Sequence, residues 1–416
     1  EGGRHGRGQA RAGRVVTGPL DGIRVLDLGT RIAAPFCAGL LGEQGAEIIK
    51  VEQPHRGDFM REIGPFATTD DGDRPYSLFW AVEGRGRKSV TLDLRQQAGQ
   101  DLFRRLAATA DVVVENFRPG TLENWGLAPS SLDTRLIVVR ISSFGQDGPH
   151  ARRPGLDRVG IGYGGLLHLT GYPDRPPVRV GVTISDYLTG VFAAHAATCA
   201  LYARDTRRDG LGAVIDAALY GAALRVLEWT LAGYDQLGVI RNREGNRLAN
   251  SAPLDNYPTV DGKYVCVVAG SDANFARLCK AMERPELVDD PRFARLSDRA
   301  AHGDEINTIV ADWTSGLDAK TVEERCVACD VPVATAYTAE DIFSDPHIAA
   351  RGDLVTVDDP VVGPLRQQAP YPRRVGESPP VPSGAPRLGE HTRTVLGETL
   401  GVSDHELDQL AVDGVI

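Results

Sequence analysis

Gly22-Ile-Arg-Val-Leu-Asp-Leu-Gly29 reads as a short apolar strand, the turn Gly29-Thr-Arg-Ile-Ala-Ala-Pro35 follows, and a helix-forming run from Ala33 to Gln44 leads to a second strand, Ala46-Glu-Ile-Ile-Lys-Val-Glu52. Strand, helix and strand in that order make a βαβ unit, and such units build parallel sheets. In an open α/β sheet the first βα turn faces the ligand crevice. Here it lacks the G-x-G-x-x-G spacing, which disfavours ordinary dinucleotide binding.

The alternation continues. Ser89-Val-Thr-Leu-Asp-Leu94 is a strand, Gln96 to Ala108 a helix, and Asp111-Val-Val-Val-Glu-Asn-Phe117 a strand running into Arg118-Pro-Gly120. Leu136 to Ser142 is a further strand before the loop Ser143-Phe-Gly-Gln-Asp-Gly-Pro149, and Gly210 to Leu219 reads as a strand feeding a helix. The basic residues Arg85, Arg87, Lys88, Arg95 and Arg118 lie near strand ends; singly each reads as a solvated rim residue, together they suit phosphates.

A long helix, Leu224 to Leu237, leaves this region for the turn-rich segment Arg241 to Pro253. Beyond it come a strand at Lys263–Val268, helices near Asp272–Met282, His302–Thr314 and Ala319–Ala328, a proline-rich extended stretch from Pro360 to Pro386, and a last helix at Ser403–Ala411. The expected organisation is a disordered or appended tail (1–18), a large Rossmann-like α/β domain with a parallel sheet (19–225), and a linker (226–250). A smaller α+β domain (251–340) follows, and 341–416 returns to the large domain.

The 416 residues carry a net charge of −10, so a general nucleic-acid or membrane-surface binder, which needs a basic face, is disfavoured. Arg4, Arg7, Arg11 and Arg14 occur without an apolar h-region, unlike a secretory signal. The six cysteines are scattered through apolar contexts, as in a reducing cytoplasmic compartment, and the lone pair Cys326/Cys329 reads as structural thiols rather than half a metal site. No metal site is expected.

In Val180-Gly-Val-Thr-Ile-Ser-Asp186-Tyr-Leu-Thr-Gly190 an apolar run from Val178 to Ile184 meets an aspartate, and an alanine-rich helix follows. The pattern predicts Asp186 at a strand-to-helix junction. Two readings stand there. Aspartate is a favoured N-cap; an ionised carboxylate beside helix N–H groups also suits a nucleophile that forms covalent acyl intermediates.

Pro19-Leu-Asp-Gly-Ile-Arg-Val-Leu-Asp-Leu, Gly45-Ala-Glu-Ile-Ile-Lys-Val-Glu, Arg87-Lys-Ser-Val-Thr-Leu-Asp-Leu, Val114-Glu-Asn-Phe-Arg-Pro-Gly, Phe144-Gly-Gln-Asp-Gly-Pro and Leu388-Gly-Glu-His-Thr resemble the class III CoA-transferase (CaiB/BaiF) family. The resemblance runs from Pro19 to the C-terminus. It implies an interlocked homodimer, coenzyme A or acyl-CoA as substrate, carboxylic acids as partners, and no resident cofactor. By motif the nucleophile falls on Asp186, passing through an aspartyl anhydride and an aspartyl-CoA thioester. The CoA contacts fall on Ile32, Ala33, Gln53, Leu92, Asp93, Leu94, Arg95, Asn116, Phe117, Arg118, Gly155, Leu156 and Asp157, with Arg95 and Arg118 as phosphate anchors.

The chain departs from formyl-CoA transferase at Gln53 and Asn124, where that enzyme carries arginines, and Gly245 to Pro253 replaces its Gly-rich loop. The racemase branch of the family needs a histidine that is Leu156 here, and leucine carries no proton. Racemase is the alternative within the family; a non-catalytic CoA-binding protein is the alternative outside it. Arg241, Arg243 and Arg247 are candidates for a second substrate carboxylate, with a solvent-facing role as the other reading.

Overall fold

The computed structural model describes residues 18–68, 75–207, 209–377 and 380–416, so the tail expected at 1–18 lies, apart from Gly18, outside the described residues. The chain divides into two compact units. Among the described residues the first comprises 18–164, 182–226 and 351–416; the second comprises 165–181 and 227–350. Residues 165–181, read from sequence as part of the large domain, therefore pack with the smaller unit.

The first unit is built on β1 (Arg24–Asp27), α1 (Ala33–Glu43), β2 (Glu47–Glu52), β3 (Arg87–Thr91), α2 (Gln97–Ala107), β4 (Val112–Glu115), β5 (Ile137–Ser142), α3 (Asp157–Tyr163), α4 (Ile184–Thr206), β6 (Val214–Ala218) and α5 (Leu219–Arg225). The six strands are all parallel, in the order β3-β2-β1-β4-β5-β6. Strand order reverses between β1 and β4, and in such sheets ligands bind outside the carboxyl ends of the strands at that switch point.

Strands this apolar must be covered on both faces. On one face Val25, Val112, Val114 and Val139 pack against Ala33, Cys37 and Leu41 of α1 and Ala193, Ala197 and Leu201 of α4. On the other, Leu26, Ile49, Val90 and Val113 meet Leu102, Phe103 and Leu106 of α2 together with Val395, Leu396 and Leu407 from the end of the chain. The same C-terminal segment shields the edge of β3: Gly389 N–H donates to Ser89 Oγ, His391 N–H to Ser89 O and Thr91 N–H to Thr392 Oγ1. Unpaired strand edges invite foreign pairing, and this one is closed from within.

The second unit holds α6 (Thr230–Leu237) and an antiparallel sheet of β7 (Leu254–Pro258), β8 (Tyr264–Val268) and β9 (Val333–Thr335), packed with α7 (Asp272–Ala281), α8 (Gly303–Ser315) and α9 (Ala319–Ala328) around Phe275, Leu278, Phe293, Ile306 and Val322. The helix expected over Leu224–Leu237 is two helices, α5 and α6, parted where Glu228 takes a left-handed backbone at φ 53°. Within the proline-rich stretch, Gly363–Gln368 pairs with Leu354–Asp359 in an antiparallel hairpin. Among the described residues no helix is long and apolar enough to cross a membrane.

Candidate active site

The turns after β1 and β4 meet at the switch point. Asn116 stitches them together, accepting from Thr30 N–H at 2.9 Å and donating through Nδ2 to Thr30 O at 2.7 Å. Beside them a cavity of about 160 Å³ is lined by Gly29, Thr30, Gln53, Asp58, Leu92, Asp93, Leu94, Arg95, Phe117 and Trp125, and Phe117 meets Trp125 edge to face at 5.1 Å. Six residues expected at the CoA site, Gln53, Leu92, Asp93, Leu94, Arg95 and Phe117, thus line one crevice. Ile32 and Ala33 open α1 next to it, both buried, and Ile32 offers no side-chain cap. Among the described residues nothing accepts from the first-turn N–H groups of Ala33 and Ala34. Such orphan donors, with the positive end of the helix dipole, favour anions.

The crevice floor is ionic and fully buried. Lys50 Nζ lies 2.8 Å from Asp58 and 3.3 Å from Asp27, and donates to Gly29 O at 2.6 Å. These carboxylates hold the Lys50 ammonium charged against the opposing effect of burial. Arg61 pairs with both oxygens of Glu52, which also accepts from Ser89 Oγ and Asp58 N–H.

Several basic residues expected at the phosphates are otherwise engaged. Arg87 is buried against Asp27 and the Pro35 carbonyl, Arg85 pairs with Glu43, and Lys88 pairs with Glu47. Arg95 makes a bidentate pair with Asp93 in its own turn, and Arg118 is exposed without an ion pair among the described residues. In the second unit Arg241 pairs with Glu228, Arg247 with Asp255 and Asp304, and Arg243 donates to the carbonyls of Tyr172 and His168. As the chain stands these three hold local structure rather than an open carboxylate site.

Asp186 is not where the sequence pattern put it. Val178 to Thr183 forms no strand: Pro176 and Pro177 precede it, and β6 supplies the last place in the sheet after the helix. The N-cap of α4 is Thr183, without a side-chain cap bond, so Asp186 is the third helical residue and not the cap. The capping carboxylate is Asp157, 5% exposed, whose Oδ1 accepts from Ser185 N–H at 2.8 Å and from Ser185 Oγ at 2.9 Å. Asp157, expected among the CoA contacts with Gly155 and Leu156, is thus taken up by the start of α4, while Leu156 is 55% exposed.

Among the described residues nothing donates a hydrogen bond to the half-buried Asp186 carboxylate. Burial and the neighbouring negative charge of Asp157 push its pKa up to about 7, with the Arg31 guanidinium pulling the other way. The carboxylate is therefore only partly ionised at neutral pH, not fully ionised as its reference value implies. Its neighbour Tyr187 donates to Glu83 at 2.9 Å and packs edge-on against Phe36, and Gly190, one turn on, brings α4 against Ala33 and Cys37 of α1. Sequence reasoning missed Arg31, Glu83 and Tyr187. An arginine within the first βα turn was the one signal available for Arg31.

The CoA-transferase family III profile matches residues 20–392. The chain is 41% identical to the succinyl-CoA–D-citramalate CoA-transferase of Chloroflexus aurantiacus, covering 96% of this chain and 98% of that one. It is 35% identical to the succinate–glutarate CoA-transferase of Agrobacterium fabrum, covering 91% and 95%. The crystal structure of a CAIB/BAIF family protein from Brucella suis superposes with a TM-score of 0.81 at 34% identity, over 92% of this chain and 100% of the other. Fold and relatives agree, and the chain belongs to CoA-transferase family III as an enzyme of that family.

Proposed function

We propose that this enzyme moves CoA from a succinyl-type acyl-CoA to a second small dicarboxylic acid, with Asp186 as the covalent carrier and a homodimer as the working form. The Asp186 carboxylate attacks the thioester carbonyl, the C–S bond breaks, and a mixed anhydride and CoA thiolate result. The thiolate then attacks the Asp186 acyl carbon, releasing the donor acid and leaving an aspartyl-CoA thioester. The acceptor carboxylate reverses both steps, with no net proton uptake. The unpartnered Asp186 carboxylate in the first turn of α4 carries this reading, because a helix cap would be hydrogen-bonded and this group is not.

A carboxylate made more basic by burial is a stronger nucleophile toward a thioester, and the first-turn N–H groups of α1 offer donors for the oxyanion. The crevice residues Ile32, Ala33, Gln53, Leu92, Asp93, Leu94, Arg95, Asn116, Phe117 and Arg118 hold CoA in this reading; Asp157 positions the nucleophile. The dicarboxylate class rests on the named substrates of the relatives at 35–41% identity. Leu156 leaves α-proton exchange without its second base. Acyl-CoA donors assayed against a panel of acids test the proposal: succinyl-CoA with C4 or C5 dicarboxylates turns over, and Asp186→Ala loses at least about 1,000-fold in kcat.

A further inference from the structure

We propose that Arg31 is the residue that holds the exchanging carboxylate of the acid substrate against Asp186, a role that rests on the covalent reading above. Arg31 sits in the turn between β1 and α1 with φ 68°, a left-handed conformation that a non-glycine residue adopts only at a cost in strain. Two contacts hold it there. Its N–H donates to Oδ1 of the buried Asp58 at 3.0 Å, and its guanidinium lies over the Phe59 ring, 4.1 Å from the centroid.

The cation so presented is exposed and has no ion pair among the described residues, whereas Arg85, Arg87, Lys88 and Arg95 all have carboxylate partners. Its position follows from the helix packing. Gly190 rests on Ala33, two residues after Arg31, and on Cys37 of α1, and Asp186 stands four residues earlier on the same face of α4. The charge of Arg31 is accordingly felt at the Asp186 carboxyl.

The reaction needs a cation at this spot. Asp157 and Asp186 already place two carboxyl groups together, and an acid approaching the aspartyl-CoA thioester adds a third. A guanidinium pairs with a carboxylate in a planar two-bond fork, which fixes the attacking oxygen as well as offsetting its charge.

The test uses full-length Arg31→Gln, Arg31→Lys and Arg31→Ala proteins. Arg31→Gln is expected to raise KM for the acceptor acid roughly 10- to 100-fold, to leave the dissociation constant for free CoA unchanged within about twofold, and to move the ionisation limb of the acylation half-reaction to higher pH. Guanidinium ion in the buffer partly restores Arg31→Ala. An unchanged acid KM, or CoA binding weakened as much as acid binding, overturns the proposal; the latter makes Arg31 a phosphate contact. A loss confined to dicarboxylates, with monocarboxylic acids unaffected, also overturns it. Hydroxylamine trapping of wild-type protein with succinyl-CoA separates the two levels: no hydroxamate at residue 186 rejects the covalent reading itself, whereas a hydroxamate with unaltered acid KM in Arg31→Gln rejects only the role of Arg31.

Discussion

The Asp157 carboxylate accepts both the backbone N–H and the hydroxyl of Ser185, at 2.8 and 2.9 Å, and so fixes the first turn of the helix from which Asp186 projects. One buried side chain thereby sets the position of its neighbour and, through its charge, raises that neighbour's pKa.

Asp157→Asn keeps an acceptor for Ser185 and removes the charge. The acylation half-reaction, which needs ionised Asp186, is expected to shift its pH limb about half a unit or more to lower pH with little change in melting temperature. Asp157→Ala leaves the Ser185 groups buried without their acceptor and costs about 2 kcal/mol in urea unfolding.

Because the Asp186 pKa rises from 3.8 unfolded to about 7 folded, the unfolded state binds fewer protons between those values. Stability is lost across that window as pH rises. Asp186→Asn should therefore be more stable than wild type at pH 8, by about 2 kcal/mol after allowance for partial exposure, and no more stable below about pH 4. Denaturant titrations at the two pH values check this.

Gly190 tolerates no side chain, since an added Cβ would stand 2.9 Å from the Phe36 ring and 3.0 Å from the Ala33 carbonyl. Gly190→Ala is expected to cost about 1–3 kcal/mol and, by moving α4 off α1, to lower kcat more than it weakens CoA binding. Calorimetry with steady-state kinetics separates the two effects.

Lys50→Met removes the cation between Asp27 and Asp58 and leaves both carboxylates buried beneath the crevice. Breaking such a cluster costs about 3–5 kcal/mol. Chemical denaturation should show that loss, while the surface variant Lys320→Met, in an exposed pair with Glu324, loses less than about 0.5 kcal/mol.

The parallel sheet was legible because Val112 to Glu115 and Ile137 to Ser142 are apolar runs too short for helices, set between helical stretches. Val178 to Ile184 is likewise rich in β-branched residues and is no strand; the place beside β5 is taken by β6, a fact of topology that local residues do not carry. Asp186 was found by motif, but whether it capped the helix turned on three residues of boundary, and the carboxylate that binds the first turn, Asp157, comes from the start of α3, 28 residues away. Arg87 looked like a rim cation because its partner Asp27 is remote in sequence. What sets Arg31 apart was hidden for a further reason: the sign of its φ and the ring beneath it exist only in the fold.

The most direct measurement of the covalent account uses an acceptor acid labelled with heavy oxygen in its carboxylate. When thiolate attacks the acceptor's acyl carbon, the bridging oxygen of the anhydride stays on the enzyme, so the peptide carrying Asp186 should gain one heavy oxygen after turnover with succinyl-CoA. Undiminished CoA transfer with no label on Asp186 would contradict the account.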